Sequence, residues 1–217
     1  MNRYKYILFD LDGTLTDSRE GIMNCLYYAR EKLGFELPDD LDRFLGPPLG
    51  DSFRMFCGMN EEQVSEAVRV FRERYSTVGL FENKVYDGIR EMLTALRDAG
   101  MCLAVATCKL ECYSVRITDK FNLAGYFGVV GGADAAVGRI TKAQVIEDVL
   151  ARAGVTDRSQ VLMVGDRQND VLGAHQTGIE CAGALWGYGS AEELAEAGAD
   201  YTAETPQALT DMLTRKD

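Results

Sequence analysis

Asp10 and Asp12 stand two residues apart at the end of the apolar run Ile7-Leu8-Phe9, and they are the first side chains that invite chemistry. Alternate residues of an extended chain share a face, so both carboxylates can enter one site. Gly13 follows, where a sharp turn is easiest without a side chain, and then the hydroxyl of Thr14. Two further apolar runs also finish in polar groups: Cys102 to Ala106 in Thr107, and Val161 to Val164 in Gly165-Asp166. The second continues as Arg167-Gln168-Asn169-Asp170, placing another carboxylate near the start of a helix, and Lys142 opens a helix between the two runs. Several carboxylates, a lysine, a hydroxyl and backbone N–H groups suit an oxygen-preferring cation such as Mg²⁺ together with a phosphate. Charge makes the cation necessary. A carboxylate about 4 Å from each of two phosphate charges is repelled by about 8 kcal/mol at an effective dielectric of about 20, and one lysine returns about half of that. A divalent cation on Asp10 and Asp166 closes the gap, so the acidic cluster predicts bound Mg²⁺.

These groups need a scaffold that brings strand ends together. The runs at Ile7–Phe9, Cys102–Thr107 and Val161–Gly165 are continuous, apolar and too short for helices, as buried parallel strands are. From the second run onward a βαβ rhythm sets in. Further strands are expected at 128–130, 180–185 and 200–202, and helices at 112–121, 142–153, 169–177, 191–197 and 206–213. The fold class is therefore α/β, a Rossmann-like parallel sheet whose strand ends open on a ligand crevice. A strand–helix–strand crossover takes roughly 30 residues, far fewer than separate Asp10 from Thr107, and the helix from Gly88 to Ala99 suffices for it. The surplus reads as an inserted all-helical cap over residues 17–84, with a core of residues 1–16 and 85–217. An insertion leaving the carboxyl end of a sheet reads as a lid. Its first helix, capped by Asp17 or Ser18, carries Ile22, Leu26, Ala29 and Leu33; Asn60 and Gln63 form a capping box for another with Val64, Ala67, Val68, Phe71, Tyr75 and Val78 on one stripe.

The formal net charge of −11 and pI near 4.7 argue against nucleic acid or an anionic membrane as partner. No stretch is long and apolar enough to span a bilayer, and Met1 to Tyr6 carries no signal-type apolar region, which makes a cytoplasmic location the expectation. The six cysteines show no zinc-type pairing and read as small reduced side chains, although Cys108 and Cys112 could share a helical face. His175, the only histidine, reads as structural. Trp186 and Tyr188 follow a strand and serve either packing or the rim of the site.

Taken in order, Asp10-Leu11-Asp12-Gly13-Thr14, Thr107, Lys142, and Gly165-Asp166 with Asp170 resemble the four motifs of the haloacid dehalogenase superfamily of phosphatases, in its members with a helical C1-type cap. The resemblance covers nearly the whole chain. It implies that Asp10 is the nucleophile that forms an aspartyl-phosphate, and that Asp12 is the acid for the leaving alcohol and then the base for water. It also implies that Asp10, Asp166 and the carbonyl of Asp12 hold Mg²⁺, while Asp170 holds metal-bound water or steadies Lys142. Thr107, the Cys108 N–H and Lys142 would bind the phosphoryl oxygens. Cys108 stands where serine or asparagine is frequent, and Lys109 competes with Lys142 for the role of phosphate lysine.

The expected activity is hydrolysis of a small phosphomonoester. A phosphoglycolate phosphatase-like enzyme comes first, then a 5′-nucleotidase-like one, then a sugar phosphomutase of the same superfamily. The expected partner is a small phosphorylated metabolite, and the expected state a monomer or homodimer. The run Gly46-Pro47-Pro48-Leu49 is either a plain turn or a stiff loop bringing Arg43 or Arg54 to an anionic substrate, and it resembles cap loops of phosphoglycolate phosphatase-like and nucleotidase-like members. A phospho-acceptor signalling module would also use an aspartate, Mg²⁺, a threonine and a lysine. Asp12 as acid and base, and the long insertion, argue for hydrolysis instead.

Overall fold

A computed structural model describes residues 3–215; Met1, Asn2, Lys216 and Asp217, which the expected core includes, lie outside the described residues. In chain order the elements are β1 (Tyr6–Phe9), β2 (Thr16–Asp17), α1 (Arg19–Leu33), α2 (Leu49–Cys57), α3 (Glu61–Tyr75), β3 (Lys84–Val85), α4 (Ile89–Asp98), β4 (Cys102–Leu110) and α5 (Glu111–Lys120). They continue with β5 (Val129–Ala133), α6 (Lys142–Arg152), β6 (Val161–Gly165), α7 (Gln168–Gln176), β7 (Glu180–Ala184), α8 (Ala191–Glu196), β8 (Tyr201–Ala203) and α9 (Pro206–Thr214). The chain forms two compact units, one of residues 1–16 with 85–217 and one of residues 17–84.

The larger unit is built on a parallel six-stranded sheet in the order β5-β4-β1-β6-β7-β8. Every residue of β6 is buried, and Ile7, Leu8 and Phe9 of β1 are at most 1% exposed, because helices cover both faces. Leu8 packs with Ala104, Met163, Val145, Ile146 and Val171, so α6 and α7 lie on its face of the sheet. The chain builds outward from β1 through β4 to β5 and then crosses to β6. The strand order thus reverses at β1, where open α/β sheets bind ligands beyond the strand ends. Phe9 pairs with both Val105 and Val164, which sets the carboxyl ends of β1, β4 and β6 level.

β4 runs on to Leu110 with a register irregularity between Ala106 and Leu110, so Cys108 lies on a strand and does not share a helical face with Cys112 on α5. All six cysteines are free, and no described helix is long and apolar enough to cross a membrane.

In the smaller unit α1 packs on α3, and Phe35, Phe44, Phe53 and Phe56 form an edge-on aromatic cluster. The capping box at Asn60 and Gln63 is present. Ser18 is the N-cap of α1 but its side chain makes no capping hydrogen bond, while Asp17 accepts the Arg19 N–H. Two expected stripe positions fail. Leu33 is 37% exposed in the last turn before Gly34, and Val78 is 51% exposed because α3 has ended at Tyr75; Val70 is buried in the stripe instead.

Candidate active site

Asp10 leaves the end of β1 with its N–H on the Val164 carbonyl at 2.9 Å, so the sheet ladder itself fixes where the side chain starts. The chain then turns back within one residue pair: the Leu15 and Thr16 N–H groups both donate to the Leu11 carbonyl at 2.9 Å. Gly13 allows this turn at φ +86°, and a Cβ there would stand 2.2 Å from Asp166 Oδ2. Asp166, at the end of β6, can approach the turn only because that side chain is missing.

Asp10, Asp166 and Asp170 bring one carboxylate oxygen each within 4.8 Å of one another, all three residues being buried. Lys142 enters from the first turn of α6 and places Nζ 2.7 Å from Asp10 Oδ1, 2.6 Å from Asp170 Oδ1 and 3.0 Å from the Ala106 carbonyl. Its helix is started by a capping box of Thr141 and Gln144, a signal that the Thr-Lys-Ala-Gln spacing carries in the sequence and that pattern reading passed over. Asp170 has its second oxygen on the Arg167 N–H at 3.0 Å.

One ammonium among three buried carboxylates leaves net negative charge. Burial pushes the Asp166 carboxyl well up, with Asp170 and Asp10 adding to it against the pull of the Tyr188 N–H and the Thr14 hydroxyl. Burial also raises Asp170, to about 6, although Lys142 draws it down. For Lys142 burial works the other way, yet Asp10 and Asp170 outweigh it and hold the ammonium well above its ordinary value. A site of hard oxygen donors with uncompensated charge fits a divalent cation of the Mg²⁺ kind.

Asp12 stands apart from the three-carboxylate group. Its Oδ2 is 2.5 Å from Lys109 Nζ, while its Oδ1 is buried without a hydrogen-bond partner. Lys142 and Lys109 therefore serve different carboxylates. Thr107 is 2% exposed, two residues past Val105, the partner of Phe9, with its hydroxyl accepting the Lys109 N–H at 3.3 Å, and Cys108 is exposed beside it. Arg43 and Arg54 belong to the smaller unit. Arg54 is held by Asp51 and Glu61 at 2.7 and 2.8 Å, and Arg43 stacks over Phe56 at 4.2 Å from the ring centroid. Trp186 and Tyr188, read from sequence as packing or rim, reach the site through hydrogen bonds: the indole N–H donates to the Thr14 carbonyl, and the Thr14 hydroxyl and the Tyr188 N–H donate to Asp166.

The model of the haloacid dehalogenase-like hydrolases matches residues 7–184. The chain belongs to this family. It is 42% identical over 194 residues to a 5′-nucleotidase of Pseudomonas aeruginosa, covering 88% of this chain and 87% of that protein. It is 32% identical over 219 residues to a phosphoglycolate phosphatase of Aquifex aeolicus, covering 96% of each. The solved structure of a predicted phosphatase from Clostridium acetobutylicum superposes with a TM-score of 0.89 at 39% identity, over 96% of this chain and 97% of that one. Protein Tyrosine Kinase A of Mycobacterium tuberculosis superposes with a TM-score of 0.84 at 35% identity, over 98% and 99%. The chain is thus a phosphatase of this hydrolase family, on the parallel α/β core that its members share.

Proposed function

We propose that the protein hydrolyses a small soluble phosphomonoester through an aspartyl-phosphate on Asp10, with Mg²⁺ held by Asp10, Asp166 and the main-chain carbonyl of Asp12. The observation that carries this reading is the meeting of Asp10, Asp166 and Asp170 in one buried group, with Lys142 on Asp10 and Asp170. When bound, the dication offsets the repulsion between the acidic cluster and the phosphate. Asp10 attacks phosphorus and the ester P–O bond breaks, with Asp12 giving its proton to the leaving oxygen. Asp12 then takes a proton from water as that water attacks phosphorus; the P–O bond to Asp10 breaks, which releases phosphate, frees Asp10 as a carboxylate and leaves Asp12 as the acid that began the cycle. Thr107, the Cys108 N–H and Lys142 hold the phosphoryl oxygens through both steps. Asp170 steadies Lys142, with one oxygen on the ammonium and the other on the Arg167 N–H, and a lone pair left on either can hold metal-bound water.

The substrate class we infer is a 5′-mononucleotide or phosphoglycolate. The nucleotides rank first because the 5′-nucleotidase relative is the more similar of the two. Residues 17–84 form the cap in this reading, with Arg43 and Arg54 as candidates for the anionic, non-reacting part of the substrate. Free cysteines throughout support a reducing, cytoplasmic setting.

The test is phosphate release from a panel of phosphorylated metabolites that includes both classes, with a tyrosine peptide and ATP as the kinase arm. Asp10→Asn should lower turnover of every hydrolysed ester by about 10³-fold or more. A variant that retains turnover would remove Asp10 as nucleophile, and peptide phosphorylation without ester hydrolysis would overturn the whole reading.

A further inference from the structure

The loop between β7 and α8 has no part in the scheme above, yet it is tied to Asp166 from two sides. Trp186, the only tryptophan of the chain, donates its indole N–H to the Thr14 carbonyl at 2.9 Å. Thr14 is fully buried and donates its hydroxyl to Asp166 Oδ1 at 2.8 Å. Two residues beyond the indole, the Tyr188 N–H donates to Asp166 Oδ2 at 2.9 Å. Each carboxylate oxygen is therefore fixed by one donor and keeps a lone pair for an ion. Gly187, between the two donors, seats the loop backbone directly on the site: a Cβ there would lie 2.3 Å from Asp166 Cβ and 2.4 Å from the Gly13 carbonyl.

We propose that Trp186 is a positioning residue for the metal site: acting through Thr14, it sets the orientation of Asp166 and hence the affinity for Mg²⁺, and its indole reports whether the ion is bound. The inference rests on the reading of Asp10 and Asp166 as cation ligands. The turn that Trp186 holds carries the Thr14 hydroxyl and follows directly on Asp12, whose carbonyl is the third proposed ligand. One indole N–H thus steadies the geometry of two ligands. Partners of this outer kind are typically worth about 10–100-fold in metal affinity. A ring that merely fills space would be replaced without loss by another aromatic of similar shape.

Calorimetric Mg²⁺ titration of the full chain, of Trp186→Phe and of Asp166→Asn separates these cases. Trp186→Phe keeps a ring and removes the donor, so its Kd for Mg²⁺ should rise about tenfold. Excess Mg²⁺ should then restore its turnover of an aryl phosphate with KM unchanged. In the unaltered protein, tryptophan emission should change saturably with Mg²⁺, at a midpoint equal to the calorimetric Kd, and Asp166→Asn should abolish the change. If the unaltered protein binds Mg²⁺ and Trp186→Phe binds it equally well, the positioning role is overturned while the metal reading stands. If the unaltered protein takes up no Mg²⁺, the metal reading falls and this inference with it. Should Trp186→Phe fail to fold, the emission titration decides, since an indole indifferent to Mg²⁺, or one that still responds in Asp166→Asn, contradicts the proposal.

Discussion

Lys142 directs the three N–H bonds of its ammonium to Asp10, Asp170 and the Ala106 carbonyl, so its position is fixed by the protein, and in the proposed scheme a phosphoryl oxygen takes the place of one of these acceptors. Asp12 is the opposite case: one oxygen is paired with Lys109 and the other is buried with no partner in the protein. A buried oxygen left unpaired costs about 1–3 kcal/mol, a cost that fits a group whose partner is the leaving oxygen of the substrate or the attacking water. The two carboxylates two residues apart thus have different surroundings, which suit the tasks proposed for them: attack for Asp10 and proton transfer for Asp12. Asp12→Ala should lower turnover of an aryl phosphate by about 10²–10⁴-fold. Calorimetry on the same variant should find Mg²⁺ binding close to that of the unaltered protein, because the proposed ligand at this position is the main-chain carbonyl. Loss of binding together with turnover would mean that the Asp12 side chain, not its backbone, holds the ion.

At the scale of elements, the turn between β1 and β2 governs how near β6 can bring its carboxylate. Gly13→Ala puts a methyl group 2.2 Å from Asp166 Oδ2 at a residue whose φ is +86°, so either the turn opens or Asp166 swings away. Strain of this kind costs about 1–3 kcal/mol, and chemical denaturation should show that loss together with weakened Mg²⁺ binding. A variant as stable and as tight as the parent would show that the turn yields freely. The helical unit has its own test, in pH. Arg74 grips Glu82 with its two terminal guanidinium nitrogens, Nη1 and Nη2, at 2.5 and 2.8 Å, and these hydrogen bonds hold the Glu82 carboxyl below its ordinary value although burial pulls the other way. A depressed folded value means stability that is present above the unfolded pKa, near 4.3, and is lost as pH falls through the folded one. Glu82→Gln should cost about 1 kcal/mol or less at pH 7 and flatten the acid side of the unfolding profile; an unchanged profile would assign the acid sensitivity elsewhere. The strands and helices were legible because apolar runs and stripes report burial directly, as at Ile7–Phe9 and Val161–Val164. β5 was not fully so. It continues through Gly131-Gly132, where a Cβ at Gly131 would come 2.3 Å from Val149, so close packing of α6 rather than strand preference selects glycine. The four carboxylates, Thr107 and Lys142 were legible by type and spacing. The pairing of Lys109 with Asp12 and the reach of Trp186 to Thr14 were not, because contacts between residues so far apart in sequence leave no local pattern.

Across the whole molecule, a chain of net charge −11 gathers three carboxylates in one buried site with a single lysine among them, so folding of the α/β unit must work against its own charge. An ion that binds only the folded site returns that free energy through mass action. At a free Mg²⁺ concentration about 100 times Kd the gain is about 2.7 kcal/mol. For a chain of this size each kcal/mol moves the midpoint by about 2–4 °C, so the transition should rise by about 5–10 °C. The chain forms two compact units, so unfolding need not be a single transition, and the two should be followed by separate probes. Hydrogen exchange at β1 and β6 should show the Mg²⁺-dependent protection, while α1 and α3, which carry none of the proposed ligands, should exchange nearly as before. Chelator should reverse the shift, and Asp166→Asn should abolish it. A uniform rise over both units that survives Asp166→Asn would mean that Mg²⁺ acts by screening the acidic surface, and that the buried carboxylates are not its site.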